Sequence, residues 1–312
     1  MRFGIHAGPQ DCTLAELRRL WQVADTQGFH WCSVWDHLYS VSDVSNPAKP
    51  CFEGLTTMAA LACETRNVRV GSLVFCTGYR NPGVLAKAAV TIDHLSSGRC
   101  ELGLGAGWNE REFQAFGMPF GPIRDRLDLL EETAVVLRRL FDGERVTFQG
   151  RRLHLDDALC DPRPVQERLR LWIGGQGEKR MLRIVARHAD GWNLPFLPPE
   201  IWAARNRTLN DWCDRERRDP AAIVRSANVG LAIGADAARA ATQEERLRLM
   251  FGPMTDWVKP GHLLGTPGQV RERVAEYRDA GVEWLILALR APFDWEGLEL
   301  FVREVMPAFT RR

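Results

Sequence analysis

Short apolar runs recur along the chain, separated by stretches in which apolar residues return every three or four positions. The runs predicted as strands are Phe3–Ala7, Trp31–Trp35, Val68–Phe75, Cys100–Leu104, Leu171–Gly174, Gly191–Leu194, Asn228–Ile233 and Trp284–Leu289. They hardly alternate between apolar and polar, which suits strands covered on both faces, as in a parallel sheet. The intervening spacing predicts helices over Leu14–Gly28, Thr56–Thr65, Pro82–Leu95, Arg124–Phe141, Glu178–His188, Glu200–Arg217, Gly268–Ala280 and Trp295–Val305. Gly28 and Gly281 stand where a left-handed residue ends a helix. Thr266-Pro267 has the form of an N-cap followed by a first-turn proline. Eight strands alternating with eight helices predict an α/β fold, a (β/α)8 TIM barrel formed as one domain by residues 1–312. An open, doubly wound sheet is the alternative arrangement of the same elements.

Three segments exceed the minimal repeat: the polar loop Leu38–Pro50, the Gly- and aromatic-rich Ala106–Gly121, and Gly234–Gly265 with a helical piece around Thr242–Met250. All three follow strand C-termini, the face on which barrels carry their sites. Long loops there are expected to be lids or binding loops. Val146–Leu155 reads as a structural hairpin at the opposite end.

Composition narrows the function. The chain has 312 residues, 45% of them hydrophobic and 26% charged, enough for a sizeable core. Its 41 basic and 40 acidic residues leave a net charge of +1, which argues against nucleic acid as a partner. No apolar run approaches the roughly 20 residues that span a bilayer, and Met1–His6 lacks a signal-peptide pattern. The eight cysteines contain no Cys-x-x-Cys pair and read as reduced core thiols of a cytoplasmic protein, with neither metal site nor disulfide framework.

Four constellations could carry chemistry. His37, in Trp35-Asp36-His37 at the end of the second strand, sits where an imidazole can exchange a proton near neutral pH; the competing reading ties it structurally to Asp36 or a loop carbonyl. His6, at the end of strand one, is a weaker mouth candidate. Gly103-Leu104-Gly105-Ala106-Gly107-Trp108 has G-x-G-x-G spacing, and Trp108 occupies the place of the last glycine in the dinucleotide fingerprint, so that reading fails. Its glycines allow close approach of a planar ligand or, equally, of packed backbone. Gly174-Gly175-Gln176-Gly177 leads into a helix opening on Glu178-Lys179-Arg180. Amides and cations there make a phosphate site, with a plain tight turn as the alternative. Gly71-Ser72-Leu73-Val74 interrupts an apolar strand and predicts a bulge or irregular backbone.

Taken together, Ser33–His37, Gly71–Cys76 with Tyr79–Pro82, Gly98-Arg99 with Gly103–Phe116, Gly174–Arg180 with Ala189–Asn193, and Gly265–Pro267 resemble the bacterial-luciferase-like superfamily, in its branch of F420-dependent oxidoreductases. The resemblance implies a barrel mouth holding a deazaflavin or isoalloxazine ring. A non-prolyl cis peptide at Ser72–Leu73 would back that ring, with Ser72, Leu73, Val74, Gly105, Ala106, Gly107 and Trp108 around it. Gly174, Gly175, Gln176, Gly177 and Lys179 would hold the cofactor phosphate, and His37 would be the catalytic group. The chain departs from the sugar and alcohol dehydrogenases of that branch. Val41 replaces a tryptophan, and Trp108-Asn109 replaces a glutamate; Glu110 and Glu112 are expected to cap or pair locally, with substitution for that glutamate as the alternative.

The function so implied is hydride transfer between coenzyme F420 and a small organic substrate. An FMN-dependent monooxygenase and a non-catalytic flavin- or partner-binding barrel are the alternatives. Trp108, Phe113, Phe116, Trp192 and Phe196 suggest an aromatic mouth, and relatives with this barrel suggest a homodimer.

Overall fold

The computed structural model describes residues 1–41 and 49–310, so 42–48 of the expected Leu38–Pro50 loop lie outside the described residues. The strands, in chain order, are β1 (Arg2–Ala7), β2 (Trp31–Val34), β3 (Arg69–Ser72), β4 (Phe75–Cys76), β5 (Cys100–Gly105), β6 (Val146–Gln149), β7 (His154–Ala158), β8 (Leu171–Gly174), β9 (Gly191–Pro195), β10 (Val224–Val229), β11 (Leu231–Ile233), β12 (Leu263–Gly265) and β13 (Trp284–Leu289). The helices are α1 (Leu14–Thr26), α2 (Gly54–Glu64), α3 (Pro82–Leu95), α4 (Glu110–Ala115), α5 (Ile123–Phe141), α6 (Arg180–His188), α7 (Pro199–Arg215), α8 (Ala237–Phe251), α9 (Thr255–Val258), α10 (Pro267–Asp279) and α11 (Trp295–Glu304).

The main sheet runs β3-β2-β1-β13-β10-β9-β8-β5-β4, every pair parallel, and β5 closes it by pairing with both β3 and β4. With β3 and β4 sharing one position, this is a closed eight-stranded (β/α)8 barrel. The open-sheet alternative is thereby excluded. Helices α4, α8 and α9 are additions after β5 and β10. The antiparallel β6–β7 hairpin precedes β8 and so lies at the end away from the strand C-termini.

Local signals place the elements as expected. Thr13 and Glu16 form a reciprocal capping box on α1, and the Thr266 amide donates to Gln269 at the head of α10. Gly28 and Gly281 take φ of +84° and +101° after α1 and α10, values natural only to glycine. Two strand expectations need correction. The third strand does not run through to Phe75 but breaks between Ser72 and Phe75. The seventh barrel strand is β10, not Asn228–Ile233. At Gly230 the chain packs against the His262 ring and donates its amide to His262 Nδ1 at 3.1 Å, and Leu231–Ile233 leaves to pair with β12.

Each barrel strand is buried on both faces, but the two faces differ chemically. Outward positions are aliphatic or aromatic and pack under the helices: Phe3 and Ile5, Leu102 and Leu104, Leu285 and Leu287. Inward positions carry Trp31, Trp172 and Trp284, whose rings meet with centroids 5.1–5.9 Å apart. Glycines opposite make the room. A Cβ on Gly71 would lie 2.2 Å from Trp31, and one on Gly191 would lie 2.3 Å from Trp172. Glu101, fully buried among these rings, accepts from the Trp172 indole and pairs with Arg69. Burial pushes the Glu101 carboxyl up, against the pull of Arg69 and Arg170.

Gly71→Ala should therefore lower stability by roughly 1–3 kcal/mol through overpacking, read as a shift of the urea midpoint. Adding Trp31→Phe should recover part of that loss. A Gly71→Ala chain as stable as the parent would mean that Trp31 can move aside freely.

Candidate active site

Above the tryptophans the inward positions become polar. His6, Ser33, Asn193, Ser226 and Asn228 replace large apolar groups, and the barrel opens at its C-terminal end into a cavity of about 560 Å³. That volume suits a small ligand or cofactor headgroup. Its wall includes His6, Trp35, Asp36 and His37 from the first two strands, Leu73 and Val74 from the third, and Gly105, Gly107 and Trp108 after β5. Gly174, Gly175 and Gln176 contribute after β8, and Arg290 after β13. Met254 and Trp257, from the long Gly234–Gly265 connection, reach the same space.

His37 is held by a carboxylate far away in sequence. Its Nδ1 lies 2.9 Å from Glu112 Oε2 and 3.2 Å from Oε1. Glu112 is fully buried and also accepts from the Leu38 and Tyr39 amides, at 2.7 and 3.0 Å, and from the Tyr79 hydroxyl at 2.8 Å. Burial alone would raise the Glu112 carboxyl. The bonds from His37, Tyr39 and Tyr79 outweigh it and hold the group below its ordinary value. An ionised carboxylate can only accept, so Nδ1 carries the hydrogen. Nε2 remains the ring atom free to exchange a proton, and among the described residues none engages it.

Asp36 does something else. Arg80 pairs with it in a two-pronged contact, at 2.6 and 2.8 Å, and the Cys76 amide donates to it at 2.9 Å. Burial pushes this carboxyl up despite Arg80. Asp36 thus ties the end of β2 to β4 and to the loop before α3. The reading that tied His37 to Asp36 is not what the structure has.

The break in the third strand contains a cis peptide bond, at Leu73–Val74 rather than the expected Ser72–Leu73. Ser72 stays in register with Val34, and its hydroxyl bonds both the amide and the carbonyl of Gly103, at 3.0 and 3.1 Å. The irregularity can therefore begin only after it. Val74 wedges against the glycines of β5 and β8. A Cβ on Gly105 would lie 2.5 Å from Val74, and one on Gly174 would lie 3.0 Å away. Of the two roles weighed for the Gly103–Gly107 glycines, close packing accounts for Gly103 and Gly105. Gly105 and Gly107 also border the cavity.

After β8, Gly175 takes φ +146° and its amide is committed to the Asn193 carbonyl. Helix α6 begins at Arg180, two residues later than expected, with no side-chain cap and no acid in its first turn. Among the described residues no acidic side chain plugs the turn: Glu178 is drawn off to Arg205, and exposed Lys179 has no acidic partner. Arg180 is not available, since it pairs with Asp128 and bonds the Arg124 carbonyl.

A profile of luciferase-like monooxygenases matches residues 1–260. The chain belongs to the luciferase-like monooxygenase family. Within curated proteins it is 31% identical over 237 residues to an F420-dependent hydroxymycolic acid dehydrogenase of Mycobacterium tuberculosis, covering 70% of this chain and 60% of that one. Among solved structures it superposes on an F420-dependent secondary alcohol dehydrogenase in complex with an F420–acetone adduct, with a TM-score of 0.88, 19% identity and 99% of both chains covered. Monooxygenase RslO1 from Streptomyces bottropensis superposes with a TM-score of 0.82 and 22% identity, covering 99% of this chain and 100% of that one. At these identities the superpositions speak to fold.

In this luciferase-like chain the cavity gathers His37, Leu73, Val74, Gly105, Gly107, Trp108, Gly174, Gly175 and Gln176, all picked out in the sequence. Ser72 and Ala106 are buried behind the wall, while Gly177 and Lys179 are exposed just outside it. Of the expected aromatic mouth, Trp108 and Phe196 line the cavity. Trp192 points outward onto Trp202, Phe113 packs under Tyr79, and Phe116 stands against Tyr39.

Three functional features escaped sequence reading. Glu112 does not pair locally but across 75 positions with His37. Asn193 and Asn228 form a buried pair at 2.9 Å in the wall. Arg290 could have been found by counting, because Trp284, Ile286, Ala288 and Arg290 step along one face of an extended strand.

The depressed carboxyl of Glu112 carries a pH signature. A group held low in the folded state stabilises it above the ordinary value of 4.5, and that contribution is lost as pH falls through the folded-state value. The stability difference between the parent and Glu112→Gln, measured by urea unfolding from pH 7 to pH 3, should shrink below about pH 4.5. A difference independent of pH would mean that Glu112 is not ionised in the folded protein.

Proposed function

We propose that this enzyme transfers hydride between coenzyme F420 and a small organic substrate, with His37 moving the accompanying proton. The observation that carries the reading is one cavity shared by the carboxylate-held His37, the Leu73–Val74 bulge and the turn leading to α6. The F420-dependent hydroxymycolic acid dehydrogenase relative supports the choice of cofactor.

The residues fit such a cofactor. Leu73 and Val74 offer an apolar platform on the cavity wall, and the glycines behind them seat it. The uncapped first turn of α6 offers amides and a positive helix end to a phosphate, with Lys179 beside it. Once bound, the deazaflavin supplies the ring carbon that gives or takes the hydride. Glu112 fixes the tautomer and orientation of His37, so that Nε2 can hand a proton to the substrate oxygen or take one from it. Trp257, Met254 and Trp108 border the opening and limit water around that exchange.

His37→Ala should reduce kcat by roughly 10²–10⁴ while leaving F420 affinity nearly intact, as expected of a proton-transfer group. An unchanged kcat would return His37 to a structural role. Lys179→Ala should weaken F420 by about tenfold and leave a deazaflavin without the phosphate tail unaffected, since only the tail meets the cation.

A second reading, an FMN-dependent monooxygenase, is favoured by the family as a whole and by the RslO1 likeness. Titrating F420 and FMN separately against tryptophan fluorescence separates the two. Tight FMN binding without F420 binding would select the monooxygenase.

A further inference from the structure

The mouth contains one charge that the scheme above leaves unused. Arg290 follows β13 on the inward-facing line of Trp284, Ile286 and Ala288, one step above the strand's end. Phe251 covers its guanidinium, with the charge centre 4.2 Å from the ring centroid, and Trp35 stands at 5.8 Å. Its N–H groups have no hydrogen bond or ion pair with any described residue. Burial lowers its pKa to about 10, against the pull of Asp11, so it is still a cation at neutral pH. Asp11 is the acid whose field it feels, yet the two form no ion pair. Asp11 Oδ2 instead accepts from Ser40 and Gln10, at 2.7 and 3.1 Å.

Arg290 is half-buried, and a guanidinium lining a cavity with no protein partner for its donors is a ready site for something negative. Among the described residues lining the cavity none supplies it: the one carboxylate among them, Asp36, is spent on Arg80, and nearby Glu112 is spent on His37. His6, pulled down to about 3 by burial and by the charges of Arg290 and His37, is neutral. The Trp35 ring lies 5.2 Å from the His6 ring, 6.4 Å from the His37 ring and 5.8 Å from the Arg290 charge centre, which places the three on the same side of the mouth. In barrel order only β1 separates β13 from β2, whereas the turn leading to α6 leaves β8, three positions from β13. Arg290 is therefore a cation separate from the turn leading to α6 and on the same side of the mouth as His37.

We propose that Arg290 anchors the carboxylate of an organic-acid substrate, setting the carbon to be oxidised or reduced beside His37. This rests on the hydride-transfer reading and names the class of its substrate. A planar carboxylate matches a single guanidinium fork. A phosphate dianion calls for more donors, and Arg290 is the one Lys or Arg among the described lining residues. The apolar remainder of the wall, with Trp35, Trp108, Phe196 and Trp257, would receive the body of the acid.

Benzoate and its neutral isostere benzamide serve as probes in calorimetric titrations of the protein, with and without F420. The parent should prefer benzoate by about tenfold or more, Arg290→Gln should bind the two alike, and Arg290→Lys should keep part of the preference. Arg290→Gln should keep parental F420 affinity, with its fold checked by thermal unfolding. No preference in the parent, or an undiminished preference in Arg290→Gln, overturns the proposal. So does a loss of F420 binding in Arg290→Gln as large as that in Lys179→Ala, which would assign the arginine to the cofactor. A parent that binds no F420 would sink the hydride-transfer reading alone, and the benzoate preference of the cofactor-free protein would still decide the role of Arg290.

Discussion

Three indole rings meeting at the base of the barrel determine where this enzyme can hold anything. Trp31, Trp172 and Trp284 fill the lower interior, and glycines at inward positions of β1, β3 and β9 give them room. An eight-stranded barrel has an interior only just wide enough for its own side chains. Filling the lower layers with the largest residues leaves the upper layers to small and polar ones. The cavity therefore lies at the C-terminal end, among side chains able to hydrogen-bond. Glu101 belongs to the same plug, a buried carboxylate held by Arg69 and an indole N–H and remote from the mouth.

The element order, the position of the mouth and the loops around it were legible because they depend on local signals: apolar runs, helix caps and terminating glycines. The helix over Pro82–Leu95 has the expected bounds, set by Asn81 as cap and Pro82 in the first turn. The third strand was less legible. The bulge was visible in Gly71-Ser72, but its position depends on Ser72 bonding Gly103 across the sheet, a partner 31 residues away. The seventh strand was misplaced for a related reason: the His262 ring beneath Gly230 redirects an apolar run that looks continuous in sequence. Strands read as uniformly apolar proved to alternate chemically, with aliphatic outward positions and Gly, Trp or polar inward ones. Tryptophan and glycine hid the alternation from a simple hydrophobic count.

The same limit governed the candidate site. Asp36 neighbours His37 in sequence and looks like its natural partner, yet adjacent residues on an extended segment point to opposite sides. Arg80 claims Asp36, and the acid that reaches His37 arrives on α4, inside a loop that sequence patterning left without structure. A lone histidine at a strand end is ambiguous. A histidine whose Nδ1 is fixed by a buried carboxylate, itself satisfied by two amides and a tyrosine, has its tautomer and ring orientation set, with Nε2 unbonded among the described residues.

Fold does not decide chemistry in a family whose barrels host several reactions, so the distribution of charge has to. Around the mouth three of the acids that could repel an anion are spent: Asp36 on Arg80, Glu112 on His37, Glu178 on Arg205. Lys179, at the turn leading to α6, and Arg290, after β13, are cations with no acidic partner among the described residues. They stand at different strand positions, one exposed just outside the cavity and one lining it. An exposed lysine costs little when unpaired and can serve a phosphate that stays partly in water. A half-buried arginine on a cavity wall is better matched by a partner that enters the cavity. The outer charge thus suits a long ligand with a hydrated tail, and the inner charge suits a compact one that enters the cavity whole.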